Sequence, residues 1–174
     1  MPAFAPALVT WTAELFPGEA PAGTRLRVAA CALSDLAWRD HPDFRAEDCF
    51  HRILQFPLIG VSHAERVFLA AVIHARYLGK PDAAWLNPAI TLLSSAARKR
   101  AQILGRAILL AYRLSGSVPE VLAGSRLRLT PDSLRLEVGK SARVPDSEVV
   151  SDRLKLLAAA LGVKRWDVVE VGKN

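Results

Sequence analysis

The hydrophobic period of this chain changes once, and that change divides it. Between residues 7 and 114 apolar side chains recur every three or four positions, the period of helices with one buried face. After a Gly-, Ser- and Pro-marked connection at 115–125, the stretches Arg126-Leu127-Arg128-Leu129 and Leu134-Arg135-Leu136-Glu137-Val138 alternate every second residue. Period two is a strand signal, and Thr130-Pro131-Asp132-Ser133 between them is turn chemistry. A hairpin is expected, with leucines on one face and Arg126, Arg128 and Arg135 on the other. Helical period returns at Glu148–Leu161, with Val150, Leu154, Leu157 and Leu161 inward, and residues 167–171 read as a last strand added to the hairpin. The expected fold is mainly α: about six helices over residues 1–122, then a small β-β-α-β element over 123–174 packed on them.

Within the helical part, Ala7–Phe16 reads as a short helix stopped by Pro17-Gly18. Thr24 is an N-cap candidate for a helix to Arg39, with Leu26, Ala29, Ala30, Leu33 and Ala37 on one face. Val28, Cys31 and Leu36 widen that face, so this helix reads as central. Asp35 is then unusual: a carboxylate hydrogen-bonded to a backbone group or to Arg39 one turn on, or a metal ligand. Pro42 ends the helix at His41, and Phe44–Phe56 is helical again. Ser62-His63-Ala64-Glu65 is a capping box opening a helix to Leu78. Asn87-Pro88 opens a short helix, and Ala96–Leu114 is a long one. Its apolar face carries Ala97, Ala101, Leu104, Ile108 and Ala111, and its other face Lys99, Gln102, Arg106 and Arg113.

The 174 residues are 51% hydrophobic, which fits a packed domain and not a disordered chain. No apolar run approaches the ~20 residues of a membrane span. The first residues show no basic segment followed by an apolar run and a cleavage site, so a cytoplasmic location is expected. Cys31 and Cys49 both lie in apolar helical patterns and read as buried free thiols. A net charge of +6 and a pI near 9.8 favour a polyanionic partner or a solubilising surface.

Several chemistries lack their motifs. There is no P-loop, G-x-G-x-x-G, G-x-S-x-G, C-x-x-C or H-E-x-x-H. Helical metal hydrolases of the HD type need an early His, an adjacent His-Asp pair, later histidines and a final Asp, because imidazoles and carboxylates must converge on divalent ions that activate water. Here no His precedes His41, and the pair at the expected place is Ser34-Asp35. Serine is a poor ligand, so metal catalysis is not expected, and His41, His51, His63 and His74 read as caps or core groups.

The segments ALSDLAWRDHPDFRAED, GVSHAERVFLAAVIHARYLG and RAILLAYRLSG resemble the C-terminal helical region of bacterial exopolyphosphatases of the Ppx/GppA type. The W-R-x-H-P-D-[FY]-R stretch at Trp38–Arg45 is the most specific part of the likeness, which covers Ala7–Leu114 and extends over the hairpin-helix-strand tail. In many members the position of Ser34 is not histidine either. The resemblance implies an HD-like helical bundle with a degenerate metal site, preceded in the family by a two-lobed actin-like core. That core hydrolyses the terminal phosphoanhydride of polyphosphate, or of guanosine pentaphosphate, with Mg²⁺. No glycine-rich D-x-G-S/T-N turn of such a core is present, so this chain is expected to bind no cofactor and to be inactive alone. It would be an excised domain or a stand-alone relative.

By the same resemblance the domain extends the polyphosphate path, supports a homodimer and contacts the actin-like domains. Candidate phosphate contacts are Arg39, His41 and Arg45 around the first turn, Arg66 and Arg76 on the capped helix, and Lys99, Arg100, Arg106 and Arg113 on the long helix. Three other readings compete. One is a nucleic-acid-binding helical domain, against which aromatic residues are few, at 7%. The others are an HD-type metal-dependent phosphohydrolase and a purely structural domain.

Overall fold

Every residue from Val67 to Arg76 is buried, and this unbroken run fixes the centre of the molecule. The computed structural model describes residues 4–80, 82–83, 86–139 and 147–172, apart from the side chains of Asn87 and Ser147. The helices in chain order are α1 (Phe4–Thr12), α2 (Pro21–Leu33), α3 (Arg45–Gln55), α4 (His63–Arg76), α5 (Asn87–Ile90), α6 (Ser95–Ser115), α7 (Pro119–Ala123) and α8 (Ser147–Leu161). A 3₁₀ turn over Ala13–Leu15 extends α1. The strands are β1 (Ser125–Leu129), β2 (Ser133–Gly139) and β3 (Arg165–Val171). The chain is thus mainly α with a small β element, as the change of period implies.

Local chemistry explains most boundaries. At α4 both halves of the capping box form: Ser62 Oγ accepts from the Glu65 amide, and the Glu65 carboxylate accepts from the Ser62 amide at 2.8 Å. Ser94 caps α6 by accepting from the Ala97 amide at 3.2 Å, and Gly116 closes it in the left-handed region. The Asn87 side chain, expected to cap α5, lies outside the described residues.

Helix α2 departs from expectation at both ends. It opens at Pro21 and not at Thr24, because a proline at the first helical position has its φ already set. The Thr24 hydroxyl instead donates to the Glu19 carboxylate at 2.9 Å. The helix stops at Leu33, where Ser34 Oγ donates back to the Cys31 carbonyl at 2.7 Å, and residues 34–40 continue as turns. Nor is α2 the central helix. Leu26, Ala29 and Leu33 are only half-buried, Val28 is exposed, and the buried Arg27 pairs with Glu19 at 2.9 Å. The centre belongs to α4 and α6.

Those two helices meet at Gly105. A Cβ there would lie 2.4 Å from the Val72 carbonyl oxygen and 2.6 Å from the Ala75 Cβ, so only glycine lets the backbones approach this closely. Leu104, Ile108, Leu110 and Leu114 of α6 are fully buried. Each contributes roughly 1.5–3 kcal/mol of hydrophobic stabilisation.

The sheet runs in the order β1-β2-β3. β1 and β2 are antiparallel, pairing Leu127 with Leu136. β2 and β3 are parallel, pairing Leu136 with Val168, and α8 makes the crossover. Leu127, Leu134, Leu136 and Val138 face inward with Val150, Leu154 and Leu157 of α8, and join one continuous core with α4 and α6. The arginines expected outside are outside: Arg126 and Arg128 approach Glu14, and Arg135 donates Nε to Asp167 at 3.1 Å. Among the described residues no helix is long and apolar enough to cross a membrane.

Candidate functional site

The first cluster of polar groups forms where α2 ends. Tyr112 from α6 brings its hydroxyl to 3.0 Å from Ser34 Oγ. Tyr77, just after α4, accepts from the Ala37 amide at 3.3 Å and donates to the Ser34 carbonyl at 3.4 Å. Two phenols from distant elements thereby hold the turn that carries Asp35. The guanidinium of Arg76 lies over both rings, 4.3 Å from the Tyr77 centroid and 4.1 Å from that of Tyr112. Arg45 lies over the Tyr77 ring at 4.9 Å.

Arg76 is only 8% exposed. Burial lowers its pKa from the ordinary arginine value, Tyr77, Tyr112 and Asp35 oppose that shift, and Arg45 adds to it. Burial also raises both phenols. The charged and polar groups near Asp35 include the Arg76 guanidinium and the two phenols. A guanidinium cannot ligate an ion and repels one. Among the described residues no three His, Cys, Asp or Glu side chains gather as a metal would require. The residues around Asp35 do not fit a divalent cation.

The second cluster lies on α6. From Ala101 to Ser115 all positions are buried except Gln102, Arg106, Tyr112 and Arg113. Lys99 precedes them, and spacings of three, four and seven keep Lys99, Gln102, Arg106 and Arg113 on one stripe about 21 Å long. Half-buried Arg153 from α8 stands beside it. Burial first, and then the charge of Arg153, lower the pKa of Arg106. Among the described residues Arg106 Nη1 and Arg153 Nε are buried without a hydrogen-bond acceptor, as are the Nε atoms of Arg45, Arg66 and Arg76. Charge-assisted hydrogen bonds to an anion would satisfy donors of this kind.

Beside this stripe, Arg98, Lys99 and Gln102 line a recess of about 280 Å³ whose wall includes His74. His74 is 2% exposed, and burial, helped by the Arg106 charge, pushes its pKa down to about 4. It therefore remains neutral at pH 7. Gly79 closes over the imidazole: a Cβ there would lie 2.0 Å from Nε2.

A family model described as "Exopolyphosphatase, C-terminal" matches residues 1–169. The chain belongs to the exopolyphosphatase C-terminal family. No curated protein matches the chain.

In this exopolyphosphatase C-terminal domain the nine expected phosphate contacts fall in separate places. Arg39 and His41 are exposed on the turn between α2 and α3, Arg39 over the Trp38 ring at 4.6 Å and His41 against Phe44. Arg45 and Arg76 belong to the tyrosine cluster. Arg66 donates Nη1 to the Leu54 carbonyl at 3.3 Å. Arg100 is engaged by the buried Glu19 carboxylate, which Arg27 and Thr24 also share. Burial disfavours that charge, but hydrogen bonds from Arg27, Thr24 and Arg100 outweigh it and hold Glu19 below the usual carboxylate range. Lys99, Arg106 and Arg113 share the α6 stripe.

Sequence reading missed Arg153 and Tyr112. Arg153 borders the apolar positions Val150, Leu154 and Leu157, and a cation at the edge of a buried helix face signals a half-buried guanidinium. The two cysteines serve no chemistry visible here. Burial pushes Cys31 up to about 11 and Cys49 to about 12, which leaves both as inert thiols at neutral pH.

Proposed function

We propose that this exopolyphosphatase C-terminal domain binds the inorganic polyphosphate chain along the α6 stripe and supports a homodimer. Hydrolysis, with its Mg²⁺, belongs to the actin-like core that the family joins to this domain. The observation that carries the reading is the Arg106–Arg153 pair, whose buried donors lack acceptors among the described residues. A bridging phosphate oxygen supplies an acceptor and screens the like charges. Lys99 and Arg113, both exposed at the ends of the stripe, extend the path in either direction. A linear anion with one charge per repeat matches a linear row of cations, and counterion release supplies the affinity.

The test is calorimetric titration of long-chain polyphosphate into the 174-residue chain and into Arg106→Gln and Arg153→Gln. Each substitution is expected to weaken binding about tenfold or more, since a charge-assisted hydrogen bond is worth roughly 1.5–3 kcal/mol. Wild-type affinity in the double variant would overturn the assignment. Single-stranded RNA of equal charge serves as competitor, and competition equal to that of polyphosphate would favour a nucleic-acid role instead.

A further inference from the structure

The sheet has two edge strands: among the described residues β1 lies against α1, its 3₁₀ turn and α7, whereas the elements packed closely on β3 are β2 and α8. β2 is flanked by β1 and β3, so β3 offers a free row of amides and carbonyls along Arg165–Val171. Such edges are usually shielded or short. This one spans seven residues and leaves large apolar side chains uncovered: Trp166 is 36% exposed and Val168 39%. Both share a face with the buried Leu134 and Leu136, because paired residues of adjacent strands point the same way. On that face a groove of about 460 Å³ separates Val150 and Ser151 of α8 from Trp166 and Val168.

We infer that β3 pairs antiparallel with β3 of a second copy, continuing the sheet to six strands across a two-fold axis at Asp167. The inference rests on the reading that the domain dimerises, and it names the surface. The sequence of the strand favours its own copy: Lys164 immediately precedes the strand and Arg165 opens it, with Trp166 and Val168 in the middle and Glu170 near the end. Antiparallel pairing sets the basic start of each strand against the acidic end of the other. With the axis at Asp167, Trp166 of one copy faces Val168 of the second, and Lys164 faces Glu170, each pair occurring twice. On the outer face each Asp167 keeps its own Arg135 and gains the diagonal Arg165 of the second copy, which offsets the meeting of two carboxylates. Moving the axis to Val168 would set Trp166 against Glu170 and lose both matches. The two α8 helices then flank one apolar floor built from Trp166 and Val168 of both copies. A two-fold contact of this kind uses up both free edges and closes.

Sedimentation equilibrium of the full chain tests the arrangement, with a charge-swap pair that leaves the core untouched. Wild type is expected to be dimeric, Lys164→Glu to dimerise about tenfold more weakly, and Lys164→Glu/Glu170→Lys to recover wild-type affinity. Val168→Asp provides a second, independent disruption. A wild-type dimer that Lys164→Glu and Val168→Asp both leave intact would overturn the β3 surface while dimerisation itself stands. A wild-type chain that stays monomeric at about 100 μM, too weak even for a transient interface of standard size, would overturn both.

Discussion

The guanidinium of Arg76 lies 4.1 Å from the centroid of the Tyr112 ring, buried beneath a turn that carries Asp35. A fixed organic cation thus occupies the interior near the Asp35 carboxylate. It supplies positive charge permanently and cannot activate water. Arg76→Met removes a buried guanidinium stacked on two rings and should cost about 1–4 kcal/mol, roughly 0.5–2 for each cation–π contact. Arg76→Lys keeps the charge but loses the planar stack on two rings, so it should cost less. Urea unfolding monitored by circular dichroism measures both, and a Met variant as stable as wild type would mean that Arg76 is not what holds this cluster.

Gly105 is the tightest point between the two central helices. Gly105→Ala brings a Cβ to 2.4 Å from the Val72 carbonyl oxygen, which forces α4 and α6 apart. The expected loss is about 1–3 kcal/mol or more, in the range of overpacked cores, despite the better helix propensity of alanine. A melting temperature equal to or above that of wild type would show that the helices have room to spare.

Acid sensitivity should trace to His74. Its pKa falls from an ordinary 6.5 to about 4 on folding, because burial disfavours the imidazolium and Arg106 repels it. The unfolded state therefore binds more protons between pH 4 and 6.5. Stability is at its full value above about 6.5 and declines as pH falls toward 4, by a total of order 3 kcal/mol. His74→Gln removes that titration, so the difference between the two stability curves should be flat above pH 7 and change by a few kcal/mol below 6. Parallel curves across this range would contradict the burial of a neutral imidazole.

Ser62 tests a boundary set by local chemistry alone. Ser62→Ala removes one half of the capping box at α4 and should cost about 1 kcal/mol, with recovery by Ser62→Asp.

The contrast between Ser62 and Arg76 shows what was legible in the sequence. A capping box is written within four residues, and the structure forms it as read. The change of period at residue 125 likewise gives a helical part and a β-β-α-β part, with the leucines of the hairpin inward. Which helix is central was not legible. The Leu/Ala face of α2 looks as apolar as α4, but Glu19 draws Arg27 inward and the turn at Ser34 cuts the helix short. Nor could Arg76 be told from a surface arginine, because one of its two aromatic partners comes from a different helix, at Tyr112. The same holds for Arg106, whose neighbour Arg153 arrives on α8 from beyond the hairpin. Contacts across such separations depend on how the helices pack, and no window of sequence contains both partners.

The most direct measurement of the central claim is the salt dependence of polyphosphate binding. Four cations (Lys99, Arg106 and Arg113 of α6 and Arg153 of α8) releasing about 0.7 counterion each give a slope of log K against log salt near −3. Arg106→Gln/Arg153→Gln should bring it to about −1.4, with RNA of equal charge competing weakly. A slope near zero in the wild type, or one left unchanged by the double substitution, would contradict a phosphate path along α6.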